Sequence, residues 1–202
     1  MKVAIVDYGL GNLTSVLGAI SYLGASVEIT SDADKLDQAE RLILPGVGAF
    51  ADGMEKLRQR ALIGPLAKMV GNGKPILGIC LGAQLLCRSS DEFGHHTGLG
   101  WIDGDVSRIR TDNNMRLPHV GWNELQTKSA SPLLNDVADG SLLYFCHSHA
   151  IQVDDPDVAV GLCTYGDVFV AAFQKDNIYG LQPHPEKSQR VGLKILDNFL
   201  NL

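Results

Sequence analysis

The stretch Pro75-Ile76-Leu77-Gly78-Ile79-Cys80-Leu81-Gly82-Ala83-Gln84 decides the reading of the fold. Pro75 to Ile79 has the continuous apolar texture of a buried strand, and it runs directly into a helical stretch at Leu81 to Cys87. Cys80 stands at the junction, in the pattern of the G-x-S-x-G nucleophile elbow with cysteine in place of serine. Only a sharp turn holds a side chain exposed at the tip of a strand, and small flanking residues let the backbone make that turn without clash. At a helix N-terminus the unpaired N–H groups and the dipole favour thiolate over thiol, which makes Cys80 a candidate nucleophile.

Working outward, Lys2 to Asp7 is a β-branched run that breaks at Tyr8-Gly9-Leu10-Gly11-Asn12. An apolar pattern at Leu13, Val16, Leu17, Ile20 and Leu23 follows, so strand, tight turn and amphipathic helix are expected. Gly24 stops that helix. Ser26 to Thr30 and Arg41 to Leu44 read as the next strands, the latter ending at Pro45-Gly46-Val47-Gly48, and Asp32 to Glu40 reads as a solvated helical face. A helical stretch from about Leu62 to Val70 ends at Asn72-Gly73. The first half therefore reads as a parallel sheet built from βαβ units.

After Asp91 the texture changes. Val106–Ile109, Leu142–Cys146, Val158–Cys163, Val168–Gln174 and Ile178–Gln182 read as strands with little helix between them, partly antiparallel. A last helix is expected over Gln189 to Leu200, with Val191, Ile195, Leu196 and Phe199 on its apolar side. The expected fold class is α/β: a mixed, mostly parallel sheet flanked by helices, with a strand-rich C-terminal half. No internal repeat or linker interrupts the 202 residues, so one domain over residues 1–202 is expected.

Composition narrows the partners. Seventeen Lys and Arg against 23 Asp and Glu leave a net charge of −6, with no long basic cluster, which argues against nucleic acid. The most apolar stretch, Pro75 to Cys87, is shorter than the roughly 20 residues that span a bilayer. No charged leader is evident, and Cys80, Cys87, Cys146 and Cys163 form no C-x-x-C pair, so a reducing cytoplasm is expected, without disulfide framework or zinc knuckle. Apart from Cys80, the cysteines read as small buried hydrophobes.

A thiol nucleophile needs a base, and His184-Pro185-Glu186 offers an imidazole with a carboxylate two residues on. In extended backbone i and i+2 face the same way, so Glu186 can hold one ring nitrogen while the other faces Cys80. Pro45-Gly46-Val47-Gly48 can aim a backbone N–H at an oxyanion, with the N–H of Leu81 as the second donor. Gly9-Leu10-Gly11-Asn12-Leu13-Thr14 imitates a dinucleotide fingerprint, but Thr14 replaces its third glycine and Glu28 lies inside its strand. His147 and His149 have the spacing of two metal ligands on a strand face without a third nearby, so no metal is expected. His95-His96 reads as a solvated loop.

With these segments in hand, the chain resembles the class I, triad-type glutamine amidotransferases, essentially end to end. The cysteine elbow and His184-Pro185-Glu186-Lys187-Ser188 mark the class. Ile5-Val6-Asp7-Tyr8-Gly9-Leu10-Gly11-Asn12-Leu13, Leu44 to Gly48 and Pro118-His119-Val120-Gly121-Trp122-Asn123 resemble its branch of glutaminase subunits of imidazole glycerol phosphate synthase, from histidine biosynthesis. The resemblance implies that Cys80 attacks the side-chain amide of glutamine, that His184 relays a proton to departing ammonia, and that Glu186 orients His184. It further implies an oxyanion hole from Val47, Gly48 and Leu81, and a substrate site from Gln84, Glu92, His147 and Ser148. No cofactor is implied. Ammonia protonated in water is no nucleophile, so a separate partner is implied: a (β/α)₈-barrel cyclase subunit forming a heterodimer through Asn12, Trp122 and Lys187. His149, where the family usually has tyrosine, and Ala83, where methionine is commoner, are departures.

Three alternatives share parts of this pattern. A paralogous glutaminase subunit would feed ammonia to a surface-sugar amination enzyme. A stand-alone cysteine hydrolase would cleave γ-glutamyl peptides without a partner. A non-catalytic nucleotide-binding module would use Gly9 and Gly11.

Overall fold

A computed structural model describes residues 1–111 and 115–202. In chain order the first half runs β1 (Lys2–Val6), α1 (Leu13–Tyr22), β2 (Ser26–Thr30), α2 (Ala33–Gln38), β3 (Arg41–Gly46), α3 (Phe50–Gln59), α4 (Ile63–Gly71), β4 (Ile76–Cys80) and α5 (Leu81–Leu85). The second half runs β5 (Cys87–Ser90), β6 (His96–Thr97), β7 (Ile102–Arg108), β8 (His119–Thr127), β9 (Ser141–His147), β10 (His149–Val153), β11 (Ala159–Tyr165), β12 (Asp167–Lys175), β13 (Ile178–Leu181) and α6 (Gln189–Leu200).

The strands follow the order β2-β1-β3-β4-β13-β12-β10-β7-β5-β6. The five from β2 to β13 are parallel, whereas β12 pairs antiparallel with β13, β10 and β11. From β11 the sheet branches to β8 and then β9, both antiparallel. Strand β13, late in the chain, thus lies beside β4, and this crossover brings the His184 segment next to the Cys80 elbow.

Alternation along the central strands divides the core between two faces. Ala4 and Val6 of β1 with Leu42 and Leu44 of β3 pack toward α2, α3, α4 and α5, through Leu36, Met54, Leu57, Leu66 and Leu85. Val3 and Ile5 with Ile43, Leu77 and Ile79 pack toward α1 and α6, through Val16, Ile20, Ile195, Leu196 and Phe199. Both faces are covered, which is why β3 and β4 read as continuous apolar runs.

Several elements depart from the sequence reading. The helix after Cys80 ends at Leu85, and Cys87 begins β5, because the carbonyls of Leu85, Leu86 and Cys87 accept from the N–H groups of Leu99, Trp101, Ile102 and Gly100. Helix α3 carries a buried stripe at Phe50, Gly53, Met54 and Leu57, the i, i+3, i+4, i+7 signal of an amphipathic helix, diluted by charged residues between. Strand β8 was hidden by Gly121 and by a mostly exposed composition. Cys146 is exposed, contrary to the expectation for the three other cysteines, because β9 alternates and turns it away from the core with Leu142, while Cys87 and Cys163 are buried.

Candidate active site

The strands β1, β3, β4 and β13 end at one edge of the sheet, and ligand sites of open parallel sheets form outside that edge. Cys80 closes β4 with φ 53° and ψ −112°, a conformation that L-residues adopt only when their surroundings impose it. Its two glycines explain how the elbow holds. A Cβ on Gly78 would stand 2.6 Å from the Cα of Ala83, and one on Gly82 would overlap the carbonyl of Leu44. The helix therefore folds back onto β4 and β3 as closely as backbone allows. Cys80 Sγ lies 4.0 Å from the carbonyl oxygen of Cys146 and 3.8 Å from Gln182 Nε2, and it lines one cleft with His184.

His184 reaches Cys80 because β9 clamps its backbone. Its N–H donates to the Tyr144 carbonyl at 2.8 Å, while the Ser188 hydroxyl donates to the His184 carbonyl at 2.6 Å and accepts from the Tyr144 N–H at 3.0 Å. The backbone at 184 is extended, with φ −96° and ψ 96°, and a single 3₁₀ turn, Pro185–Lys187, follows. Glu186 Oε1 accepts from His184 Nδ1 at 2.9 Å, and both side chains are buried. Burial opposes the charged ring, but the hydrogen bonds to Cys80 and Glu186 and the charges of both outweigh it, pushing His184 up to about 10.

A cleft of about 180 Å³ opens onto the thiol. Its walls include Val47, Gly48, Cys80, Leu81, Gln84, Glu92, His147, Ser148, His184 and Lys187, so the sequence-derived nucleophile, base, oxyanion and substrate residues meet there, together with Cys146 and His149. Glu186 stands behind His184. Gln84 spends both amide N–H groups internally, on the His149 carbonyl at 2.9 Å and Gln182 Oε1 at 3.1 Å, so what it offers a ligand is its carbonyl oxygen. Glu92 Oε2 accepts from the Phe50 N–H at 2.7 Å, and Oε1 lies 3.4 Å from His149 Nδ1. A larger open hollow of about 520 Å³, between α3 and His95-His96, lacks these groups.

Of the three candidate contact residues, Lys187 lines the cleft, and Asn12 and Trp122 lie on elements packed beside its turn and beside β9. Asn12 caps α1, accepting from the Ser15 N–H at 3.4 Å, and α1 packs on the Pro185–Lys187 turn. Trp122 is exposed and meets Tyr144 edge-on, with ring centroids 6.1 Å apart, and Lys187 Nζ stands 5.5 Å from the centroid of the same Tyr144 ring. Val120, Leu142 and Cys146 are exposed on the same faces of β8 and β9.

Other sequence patterns resolve differently. His147 donates Nδ1–H to the His149 carbonyl at 2.8 Å and His149 faces Glu92; among the described residues no group of three or more His, Cys, Asp or Glu could hold a metal ion. Arg60 covers the Gly9 turn, bonding the Asp7 carbonyl at 2.7 Å and pairing with its carboxylate at 3.1 Å. Gln182, fully buried between Gln84 and Cys80, was missed by sequence reasoning, although its place two residues before His184 on the continuation of β13 was a usable signal.

Residues 4–202 match the family model of glutamine amidotransferase class-I, and the chain belongs to that family. It is 48% identical over 200 residues to the imidazole glycerol phosphate synthase subunit HisH of Sulfurimonas denitrificans, covering 98% of this chain and 96% of that one. The HisH of Wolinella succinogenes is 46% identical over 204 residues, covering 99% of each. Among solved structures, PurLQS of Thermotoga maritima shares the fold with a TM-score of 0.79 at 23% identity, over 99% of this chain and 97% of that one. No helix among the described residues is long and apolar enough to cross a membrane.

Proposed function

We propose that this chain is the glutaminase subunit of an imidazole glycerol phosphate synthase, folded as one domain over residues 1–202 and acting in the cytoplasm. The observation that carries the reading is the Cys80–His184–Glu186 constellation at the end of β4, in a chain close to half identical to HisH relatives along their length.

Glutamine enters the cleft with its α-ammonium toward Glu92 and its amino-acid end along Gln84, His147 and Ser148. Cys80 Sγ, as thiolate beside protonated His184, attacks the side-chain amide carbon. The oxyanion that forms is held by backbone N–H groups of the Val47-Gly48 segment and Leu81. His184 then gives its proton to the departing nitrogen as the C–N bond breaks, releasing ammonia and leaving a γ-glutamyl thioester on Cys80. Neutral His184 next takes a proton from water, whose oxygen attacks the thioester. Glutamate leaves, and the thiolate and imidazolium are restored. Glu186 fixes the ring by accepting from Nδ1–H throughout, as the carboxylate of a serine-protease triad does.

Ammonia loses its nucleophilicity when protonated in bulk water, so its route leads to a partner. The Trp122, Tyr144 and Lys187 rim beside the cleft, extended by exposed Val120 and Leu142 and by Asn12, is the surface for a (β/α)₈-barrel cyclase subunit. That subunit uses ammonia on a phosphoribosyl-formimino carboxamide ribotide, yielding imidazole glycerol phosphate and an aminoimidazole carboxamide ribotide.

Mixing the purified chain with a histidine-pathway cyclase subunit tests the reading. Glutamate release is expected to be slow alone, to rise strongly with cyclase and ribotide, and to vanish in Cys80→Ala. Fast cleavage of γ-glutamyl peptides by the isolated chain, or no stimulation by the cyclase, would contradict it.

A further inference from the structure

From the cleft to strand β8 runs a chain of polar groups, buried at His147 and His119 and half-buried at Asn123, that the thioester chemistry does not use. His147 Nδ1 is 2.8 Å from the His149 carbonyl oxygen, and His147 Nε2 is 3.1 Å from His119 Nδ1. His119 Nε2 is 3.2 Å from Asn123 Nδ2, which also reaches the Thr164 carbonyl at 3.0 Å.

These contacts fix every proton. A carbonyl only accepts, so His147 carries its hydrogen on Nδ1 and presents a lone pair at Nε2. His119 must then donate from Nδ1 and accept at Nε2, where the Asn123 amide donates. The chain therefore has one direction, from Asn123 through His119 and His147 to the His149 carbonyl. A charged ring would carry a second N–H against another donor. Burial agrees, holding His119 down to about 4 and His147 down to about 3, the latter against its bond to the His149 carbonyl.

The receiving carbonyl is shared. Gln84 Nε2 donates to the same His149 oxygen at 2.9 Å and to Gln182 Oε1 at 3.1 Å, and Gln182 Nε2 lies 3.8 Å from Cys80 Sγ. At the other end, Asn123 is the immediate neighbour of exposed Trp122 on the rim.

We infer that His119, which itself lines no part of the cleft, is a positioning residue for glutamine: its Nδ1–H fixes the His147–His149 wall and, through the shared carbonyl, the orientation of Gln84. The role rests on the glutaminase reading. It ties the geometry of the substrate pocket to the placement of β8.

Two variants separate this role from packing, because His119 also stacks on Tyr165 and Phe145, with ring centroids 4.0 and 5.0 Å away. His119→Phe keeps an aromatic ring and loses the donor, whereas His119→Asn keeps an N–H donor and loses the stack. Glutaminase kinetics of the complex with cyclase and ribotide are expected to show KM for glutamine raised about tenfold in His119→Phe with kcat little changed, the size of one lost hydrogen bond. His119→Asn is expected to stay near the wild-type KM. Equal KM values in the wild type and His119→Phe, or a larger rise in His119→Asn, would overturn the inference while leaving the glutaminase reading intact. No glutamine turnover by the wild-type complex would overturn both. Should a variant fail to fold, long-range ¹H–¹⁵N spectra of the wild-type chain still decide: both rings are expected as Nδ1–H tautomers with no titration between pH 5 and 8. An Nε2–H tautomer on either ring would refute the chain of donors.

Discussion

The Cα of Gly82 packs so closely beneath the carbonyl of Leu44 that no Cβ fits between them. This contact seats α5 on β3 and so holds Cys80 in its left-handed backbone. Gly82→Ala is expected to cost about 3 kcal/mol or more, since the obstacle is backbone and cannot swing away. Chemical denaturation would measure it, and a variant within about 0.5 kcal/mol of wild type, an ordinary surface effect, would contradict the close approach.

Glu186 holds His184 Nδ1 and helps raise the ring to about 10. Glu186→Gln keeps the shape and removes the charge, so kcat is expected to fall by about 10³–10⁴-fold, the scale of the comparable change in a serine-protease triad. The sign follows from the raised value: the protonated ring, and stability linked to it, persists below the unfolded value near 6.5 and is lost as pH rises through about 10. Without the carboxylate, the basic limb of the rate profile should move to lower pH. An unmoved limb would separate Glu186 from the proton of His184.

Tyr8 is fully buried, and its hydroxyl has no hydrogen-bond partner among the described residues. Burial first, and then the charge of Cys80, push the phenol well above its usual range, so it stays neutral. Removing a buried hydroxyl that bonds nothing relieves its desolvation, and Tyr8→Phe is expected to stabilise the fold by about 1 kcal/mol, or roughly 2–4 °C. A lowered melting point would show that the hydroxyl has a partner in solution.

His119 and His147, both buried, resist protonation down to about 4 and about 3. The unfolded chain takes up these protons near pH 6.5, so they favour the native state fully above that pH and progressively less as it falls toward 4. Urea titrations across this window are expected to show a steeper loss of stability in the wild type than in His119→Phe, by up to about one proton. Parallel slopes would mean that His119 titrates normally in the native state.

Local sequence carried the elements whose signals are local. Gly78-Ile79-Cys80-Leu81-Gly82 announced the elbow because the turn needs its glycines, and α6 was legible over Gln189–Leu200 because its apolar stripe is unbroken. His184 and Glu186 were legible as a pair because extended backbone alternates. What escaped was set by contacts far apart in sequence. The end of α5 depends on carbonyls captured by residues 99–102, and the exposure of Cys146 depends on which face of β9 meets the core. Gln182 gains its place only once β13 lies beside β4, and the run from Asn123 to His149 exists only after β8 and β9 pair, with His119 opposite His147.

Intact-chain and peptide mass spectrometry, on complex quenched during glutamine turnover, looks for the covalent intermediate itself. A γ-glutamyl group on the peptide containing Cys80, absent in Cys80→Ala along with glutamate release, is the expected result. Glutamate release that persists in Cys80→Ala would contradict the account.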